Sequence, residues 1–392
     1  MTDITTAFSD LEKYIEKESY KGYDCYDALN SPVLSALSFN VKKLRIAYIQ
    51  ALKISPINLR PLLLIPKGFN PKGLGLLLSA SSKLYQATGD KNYLKKLEFL
   101  ANLLQKLASA GYSGKCWGYN FDWQSRVFFV PKSTPTIVNT SYIAHAFLDA
   151  FEATNNQQYL DIARSTCDFI LNDLNHTEED GALCFSYTPI DRLKVHNANI
   201  LGGALLARVF SFTKESRLAE YASRSVVYVM RYQQPDGSWF YAETKIQKWI
   251  DSFHTGFVLE SLDRYMRGVN DASYESNLKK GYEFFIMNFF LKDGIPKYYH
   301  NKTYPIDIHS AAQGIVTLTA LKRLHPKSDE ILENLISWVI KNMQNKKGYF
   351  YFQRRRFFTN KISYMRWSQA WMYHALAQYL TSYGILNHQG EQ

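Results

Sequence analysis

The sequence lacks most of the signals that would assign a chemistry at once. Its four cysteines, Cys25, Cys116, Cys167 and Cys184, form no CxxC pair and no Cys/His spacing suited to a metal. No metal is therefore expected, and the cysteine usage suits a reducing compartment. Cys167 falls on the apolar face of a predicted helix, where a thiol acts as a small hydrophobe. No apolar run approaches the ~20 residues of a membrane-spanning helix. The segment from Met1 to Asp10 has neither the basic n-region nor the apolar h-region of a signal peptide. Together these absences point to a cytoplasmic protein. There is no Walker A loop, GxGxxG, GxSxG or HExxH motif and no nucleic-acid-binding module. No nucleotide cofactor and no nucleic-acid partner are expected. No linker or low-complexity stretch divides the 392 residues.

Aromatic residues are plentiful, at 15% of the chain, and they serve either as sugar-stacking platforms or as a wide aromatic core. The net charge of +11 favours an anionic partner, or simply solubility.

A repeated unit organises the rest. An apolar, small-residue helix is followed by a more charged helix and then by a Gly-plus-aromatic turn. Examples are Asp180-Gly-Ala-Leu-Cys-Phe-Ser-Tyr187, Pro235-Asp-Gly-Ser-Trp-Phe-Tyr241, Asp293-Gly-Ile-Pro-Lys-Tyr-Tyr299 and Gly348-Tyr-Phe-Tyr-Phe352. The apolar helices start near Asn139, His196, Asp251, Asp307 and Arg366, spaced 57, 55, 56 and 59 residues apart. A fixed period of this size denotes repeated supersecondary units. The apolar helices suit an inner ring and the charged ones an outer ring. One further inner helix opens at Asn70-Pro-Lys72, which makes six. The last inner helix has no outer partner after it, and the N-terminal helix has no inner partner before it. The predicted fold is thus an all-α (α/α)6 toroid, closed by the N-terminal helix, with short aromatic β-like turns at one mouth and residues 1–392 in a single domain. Val33–Ile54 reads as one helix before a loop imposed by Pro56, Pro61 and Pro66.

This arrangement resembles the six-hairpin glycosidase-like superfamily. Arg366-Trp-Ser-Gln-Ala-Trp371 is similar to the Arg-Gly-Gln-Ala-Trp helix start of unsaturated-glucuronyl hydrolases. His196-Asn-Ala-Asn-Ile-Leu-Gly-Gly-Ala-Leu-Leu206 is similar to the Asn-x-Asn-Met-His-Leu helix of N-acylglucosamine 2-epimerase-like isomerases. Trp117-Gly-Tyr-Asn-Phe-Asp-Trp-Gln124, with Pro135-Thr-Ile-Val-Asn-Thr140, most resembles uncharacterised toroid proteins encoded among bacterial exopolysaccharide and lipopolysaccharide biosynthesis genes. The resemblance implies a carbohydrate site at the inner-helix mouth.

At such a mouth the helix N-termini present free N–H groups and favour anions. Asp251 and Asp307 are either the two carboxylates of a glycoside hydrolase or helix N-caps. His254 and His309 are candidate proton-transfer bases for a uronate lyase or C5-epimerase. Tyr119 and Asp122 are candidate catalytic partners beside Trp117 and Trp123, which stack on sugars or pack on neighbouring turns. Asn139, His196 and Asn199 either bind hydroxyls or cap the rim. Arg366 either grips a carboxylate or phosphate or pairs with a nearby Asp. Trp367 is the better stacking candidate of the pair Trp367 and Trp371, with Gln369 beside it. Trp239 lies in a Pro-Asp-Gly turn and either stacks or packs. The expected function is processing of an acidic or lipid-linked glycan in cell-surface polysaccharide biosynthesis, by hydrolase, lyase or epimerase chemistry. The alternatives are a non-catalytic glycan-binding or assembly protein, and a terpenoid toroid with an apolar cavity.

Overall fold

The computed structural model describes residues 4–386. In chain order the helices are α1 (Ile4–Lys17), α2 (Pro32–Leu37), α3 (Lys42–Ile54), α4 (Pro71–Thr88), α5 (Lys91–Lys106), α6 (Ile137–Thr154) and α7 (Gln157–Asp168). They continue as α8 (His196–Thr213), α9 (Ser216–Arg231), α10 (Ser252–Val269), α11 (Glu275–Phe289), α12 (Ile308–Leu321), α13 (Ser328–Met343) and α14 (Trp371–Ser382). Short strands lie between them: β1 (Trp123–Gln124) with β2 (Phe129–Val130), β3 (His176–Glu179) with β4 (Ala182–Phe185), and a sheet of β5 (Ile306–Asp307), β6 (Gln353–Arg354) and β7 (Thr359–Asn360).

Helices α4, α6, α8, α10, α12 and α14 pack each on the next, and α14 packs back on α4. This is the inner ring. Its members are buried on nearly every face; α8 is buried at His196 to Ala207 without a break. The outer helices bury one stripe only. In α9 that stripe is Leu218, Ala222, Ser225, Val226 and Val229, the 3–4 spacing of an amphipathic helix. Helix α1 packs against α13 and α14, so the N-terminal helix supplies the sixth outer partner.

Local sequence explains the hairpin turns. Inner helices α4, α6, α8 and α10 end on left-handed residues, Gly89, Asn155, Lys214 and Asn270. Asp90 and Asn156 then cap the outer helices that follow. Two glycines are dictated by close approach. A Cβ on Gly256 would lie 2.7 Å from Thr317 Oγ1, so α10 and α12 meet there nearly backbone to helix. Gly348, at φ +94°, sits with its α-carbon so near α1 that a Cβ would lie 2.1 Å from the Asp10 carbonyl oxygen.

One expectation needs correction. Val33–Ile54 is not a single helix. Phe39 and Asn40 adopt φ of +47° and +59°, which breaks the segment into α2 and α3. The two helices fold over one mouth of the ring on a small separate core of Ala28, Leu29, Ile49, Leu52 and Ile65, against Trp123 and Phe129.

Candidate functional site

The chain entering α6, α8, α10 and α12 is pinned to the aromatic turn of the following unit. Ile137 N–H donates to the Tyr187 carbonyl, His196 N–H to Tyr241, Ser252 N–H to Tyr298, and Ile308 N–H to Phe352. Met365 N–H donates to the Tyr23 carbonyl, which carries the pattern across the chain ends. The aromatic turns therefore stand around the inner-helix N-termini, and a cavity of about 710 Å³ opens between them.

A positional rule governs what faces this cavity. The N-cap residues of the inner helices are Asn70, Thr136, Val195, Asp251, Asp307 and Tyr364. The residue two after each cap is Lys72, Val138, Asn197, Phe253, His309 and Arg366, and all six line the cavity. Four of the caps, Asn70, Thr136, Asp251 and Asp307, turn their side chains to backbone N–H groups of their helices instead.

This rule places the expected residues. His254, His309, Tyr119, Trp123, Arg366 and Trp367 line the cavity. Asp251 and Asp307 do not, being 2% and 0% exposed. Asp251 accepts from the His254 backbone N–H at 3.0 Å, from the Trp249 indole at 2.9 Å, and holds His254 Nδ1 at 2.7 Å. Asp307 accepts from the His309 N–H at 2.8 Å, the Trp367 indole at 2.9 Å and the Gln353 amide at 2.5 Å. Both are N-caps that also hold a cavity-lining side chain.

The remaining candidates sit in the walls. Trp117 donates to the Leu104 carbonyl and stacks on Phe147. Trp239 donates to the Val229 carbonyl and packs on Gly281. Asn199 is fully engaged with Leu183, Phe185 and Ser225. Gln369 bonds both backbone groups of Phe350. His196 binds the Phe240 carbonyl and stacks on Tyr232. Asp122 accepts from the Lys132 N–H, and Asn139 is fully buried. Arg366 commits two donors to Asp24, at 2.6 and 2.7 Å, and lays its guanidinium 5.1 Å from the Tyr119 ring centroid. The ion pair is one of its two expected roles.

Three imidazoles line the cavity, His254, His300 and His309, and the two carried by inner helices differ in their surroundings. His254 packs on Tyr241 and Phe253, and its fixed Nδ1 leaves Nε2 as the free ring nitrogen. His309 stacks on Phe253 at 4.6 Å and meets Trp367 and Trp371 at 4.5 Å. Neither of its buried ring nitrogens has a hydrogen-bond partner. Burial, with Lys72 and Arg366 nearby, pulls its imidazole well below the ordinary histidine range.

Sequence reasoning missed Lys72, Lys53, Asp24 and, apart from Tyr119, the tyrosine wall. Lys72 is 3% exposed, with its amine 4.2 Å from the Tyr142 ring centroid, 5.2 Å from Phe257 and 5.3 Å from Trp371. Burial, then Arg366, draws that amine well below its usual range. The rings favour a cation by only ~1–2 kcal/mol, less than the loss of water costs it. The signal for Lys72 was present, because it stands two residues after the cap Asn70, as His309 stands after Asp307. Lys53 of α3 donates to the Tyr26 hydroxyl at 2.6 Å. Tyr119, Tyr187, Tyr241 and Tyr298 surround the site, and burial raises each phenol, keeping it a hydrogen-bond donor. Among the described residues, no Asp or Glu lines this cavity, whereas Lys53, Lys72, Arg126, Lys248, Lys302 and Arg366 do.

No family model and no curated protein matches the chain. Solved structures do match it. A sugar epimerase from a ruminal bacterium superposes over 82% of this chain and 90% of its own, with 12% identity and TM-score 0.64. A family 76 α-mannanase of Bacteroides thetaiotaomicron covers 81% and 87%, with 14% identity and TM-score 0.62. An unsaturated glucuronyl hydrolase specific for heparin covers 96% and 95%, with 11% identity and TM-score 0.62. The fold they share with this chain is the (α/α)6 toroid. At these identities the likeness is one of fold.

A second cavity of about 560 Å³ lies at the C-terminal ends of the inner helices. Its charges are largely paired, with Arg208 bridging Asp149 at 2.6 Å and Glu152 at 2.8 Å. No helix among the described residues is long and apolar enough to cross a membrane.

Proposed function

We propose that the basic, aromatic cavity binds the anionic part of an acidic or lipid-linked glycan, and that His254 and His309 move protons on it in epimerase or lyase chemistry. The observation that carries this reading is the composition of the lining: three imidazoles and six Lys or Arg side chains, with no carboxylate among the described residues. Hydrolysis by paired carboxylates needs both groups at the scissile bond, some 5–10 Å apart. Asp251 and Asp307 are instead saturated by caps and indoles.

The chemistry follows from the ring nitrogens. Asp251 takes the Nδ1 side of His254, leaving the Nε2 lone pair to accept a proton from a carbon next to a carboxylate or carbonyl. The electron pair moves onto that group, where Lys72 and the tyrosine hydroxyls offset the added charge. His309, held neutral, offers one N–H and one lone pair at the same wall. Proton return to the opposite face gives an epimer. Expulsion of a leaving group at the next carbon gives a lyase product. Cell-surface polysaccharide biosynthesis is the setting this substrate class suits.

The test is incubation with a panel of acidic sugars in heavy water. Deuterium entering the position next to the carboxylate, and lost in His254→Ala and His309→Ala, is the expected result. Release of reducing ends without exchange, abolished by Asp307→Asn, would sink the proposal in favour of hydrolysis. A binding-only protein is the second reading, favoured by the full engagement of both Asp residues as caps. Tight binding with no turnover of any kind would select it.

A further inference from the structure

The segment 32–66 leaves an apolar surface uncovered. Helix α2, helix α3 and the following loop expose Phe39 at 74%, Ile57 at 67%, Leu62 at 79% and Leu64 at 64%. The hairpin formed by β6 and β7 adds Phe357, exposed at 89%. The pieces form one surface. Asn360 Nδ2 donates to the Ser55 carbonyl at 2.8 Å, tying that hairpin to the end of α3. Tyr48 Oη donates to the Leu37 carbonyl at 3.2 Å, tying α2 to α3. Monomeric proteins seldom leave so many large apolar side chains in one patch without a partner for it.

Charge decides which partner fits. No Asp or Glu occurs between Asp27 and Asp90, nor between Glu333 and Glu391. The patch is flanked by exposed Lys42, Lys43, Arg354, Arg356 and Lys361. Exposed apolar side chains flanked by cations, on two stretches of chain that carry no acidic residue of their own, match the boundary layer of an anionic bilayer. A second copy docked by a two-fold axis would bring these cations against each other. We propose that the α2–α3 cap and the β6–β7 hairpin seat the protein on an anionic lipid surface, without spanning it. The opposite face of α3, through Ile46, Ile49, Gln50 and Lys53, lines the large cavity. Docking therefore sets the mouth of the site beside the bilayer. This inference does not depend on the proton-transfer reading, since its readout is binding alone.

The experiment is co-sedimentation of the full chain with phosphatidylcholine vesicles, with and without phosphatidylglycerol, across a salt series. Binding should require the anionic lipid and weaken as salt rises. Phe39→Ser/Leu62→Ser/Leu64→Ser should lose on the order of tenfold in partitioning, and Arg354→Glu/Arg356→Glu should lose a similar factor on anionic vesicles alone. The substituted side chains are exposed; should the apolar variant nonetheless unfold, the charge variant decides. The inference is overturned if the wild type ignores both vesicles, if both variants bind as it does, or if light scattering shows a dimer that the apolar variant dissociates.

Discussion

Asp251 Oδ2 lies 2.7 Å from His254 Nδ1, while Oδ1 of the same carboxylate accepts the His254 backbone N–H at 3.0 Å. One side chain thus starts helix α10 and fixes the tautomer of the imidazole that faces the cavity. The two roles separate by substitution. Asparagine keeps the cap but sets an amide N–H against the Trp249 indole, so Asp251→Asn should cost about 1–3 kcal/mol while the helix start survives. It replaces a charged acceptor by a neutral amide, so proton transfer by His254 should slow by at least ~10-fold, with a displaced pH–rate profile. Unchanged turnover and an unchanged profile would remove His254 from the chemistry.

Lys72 gives a prediction of the opposite sign for stability. Its buried amine is depressed, so it costs the folded state stability at every pH below the ordinary lysine range. Lys72→Met should stabilise the protein by about 1–2 kcal/mol. The same change should weaken binding of an acidic sugar by on the order of tenfold. An anion entering the site would draw a proton onto the amine, so the wild-type binding enthalpy should vary with buffer ionisation and that of Lys72→Met should not. Titration calorimetry in two buffers reads both effects.

The toroid was legible because its signals are long and redundant. Five helix starts with a near-constant period, small residues on one helix of each pair, and an unpaired helix at each end specify the ring and its closure. The site was less legible for a geometric reason. Successive residues on a helix turn by about 100°, so an error of one or two positions at the start moves a side chain from cavity to wall. The repeat puts the starts at Asn139, which is three past its cap, at His196, one past, and at Asp251 and Asp307, the caps themselves. Arg366 alone was marked at the lining position, two past Tyr364. The period carried no information on that offset. Only the hydrogen bonds of the caps fix it, and they depend on where the chain leaves the aromatic turn. Asp24, the partner of Arg366, is more than 300 residues away in sequence, which no local pattern reveals.

Buried histidines outside the cavity predict how stability follows pH. Burial, with Lys83 adding, pulls His374 from 6.5 to about 3. Below pH ~6.5 the unfolded chain binds a proton at this residue that the folded protein refuses. Stability is therefore complete above that pH and falls as the solution is acidified, by about 2 kcal/mol at pH ~5 from this residue alone. His145 is depressed by burial in the same direction. Denaturant midpoints measured at pH ~7 and ~5 should show the loss, and His374→Gln should lessen it. An equal loss in the variant would assign the acid lability elsewhere.

The closure of the ring can be tested at one atom. Gly348 turns the chain at φ +94° directly against α1, and a methyl group there would lie 2.1 Å from the Asp10 carbonyl oxygen. Neither the turn nor α1 can yield without loosening the other, since Gln344 Nε2 also donates to the Ala7 carbonyl at 2.7 Å. Gly348→Ala combines a left-handed backbone with a clash against main chain, and should cost at least ~2 kcal/mol. Gly181 is the control. It has φ +79° with nothing within 4 Å of an added Cβ, so Gly181→Ala carries the backbone penalty alone, about 1 kcal/mol. If α1 closes the ring, the extra loss in Gly348→Ala should appear with early deprotection of α1 amides in hydrogen exchange. Equal losses in the two variants, with α1 still protected, would mean that the N-terminal helix is only laid against the toroid and does not hold it shut.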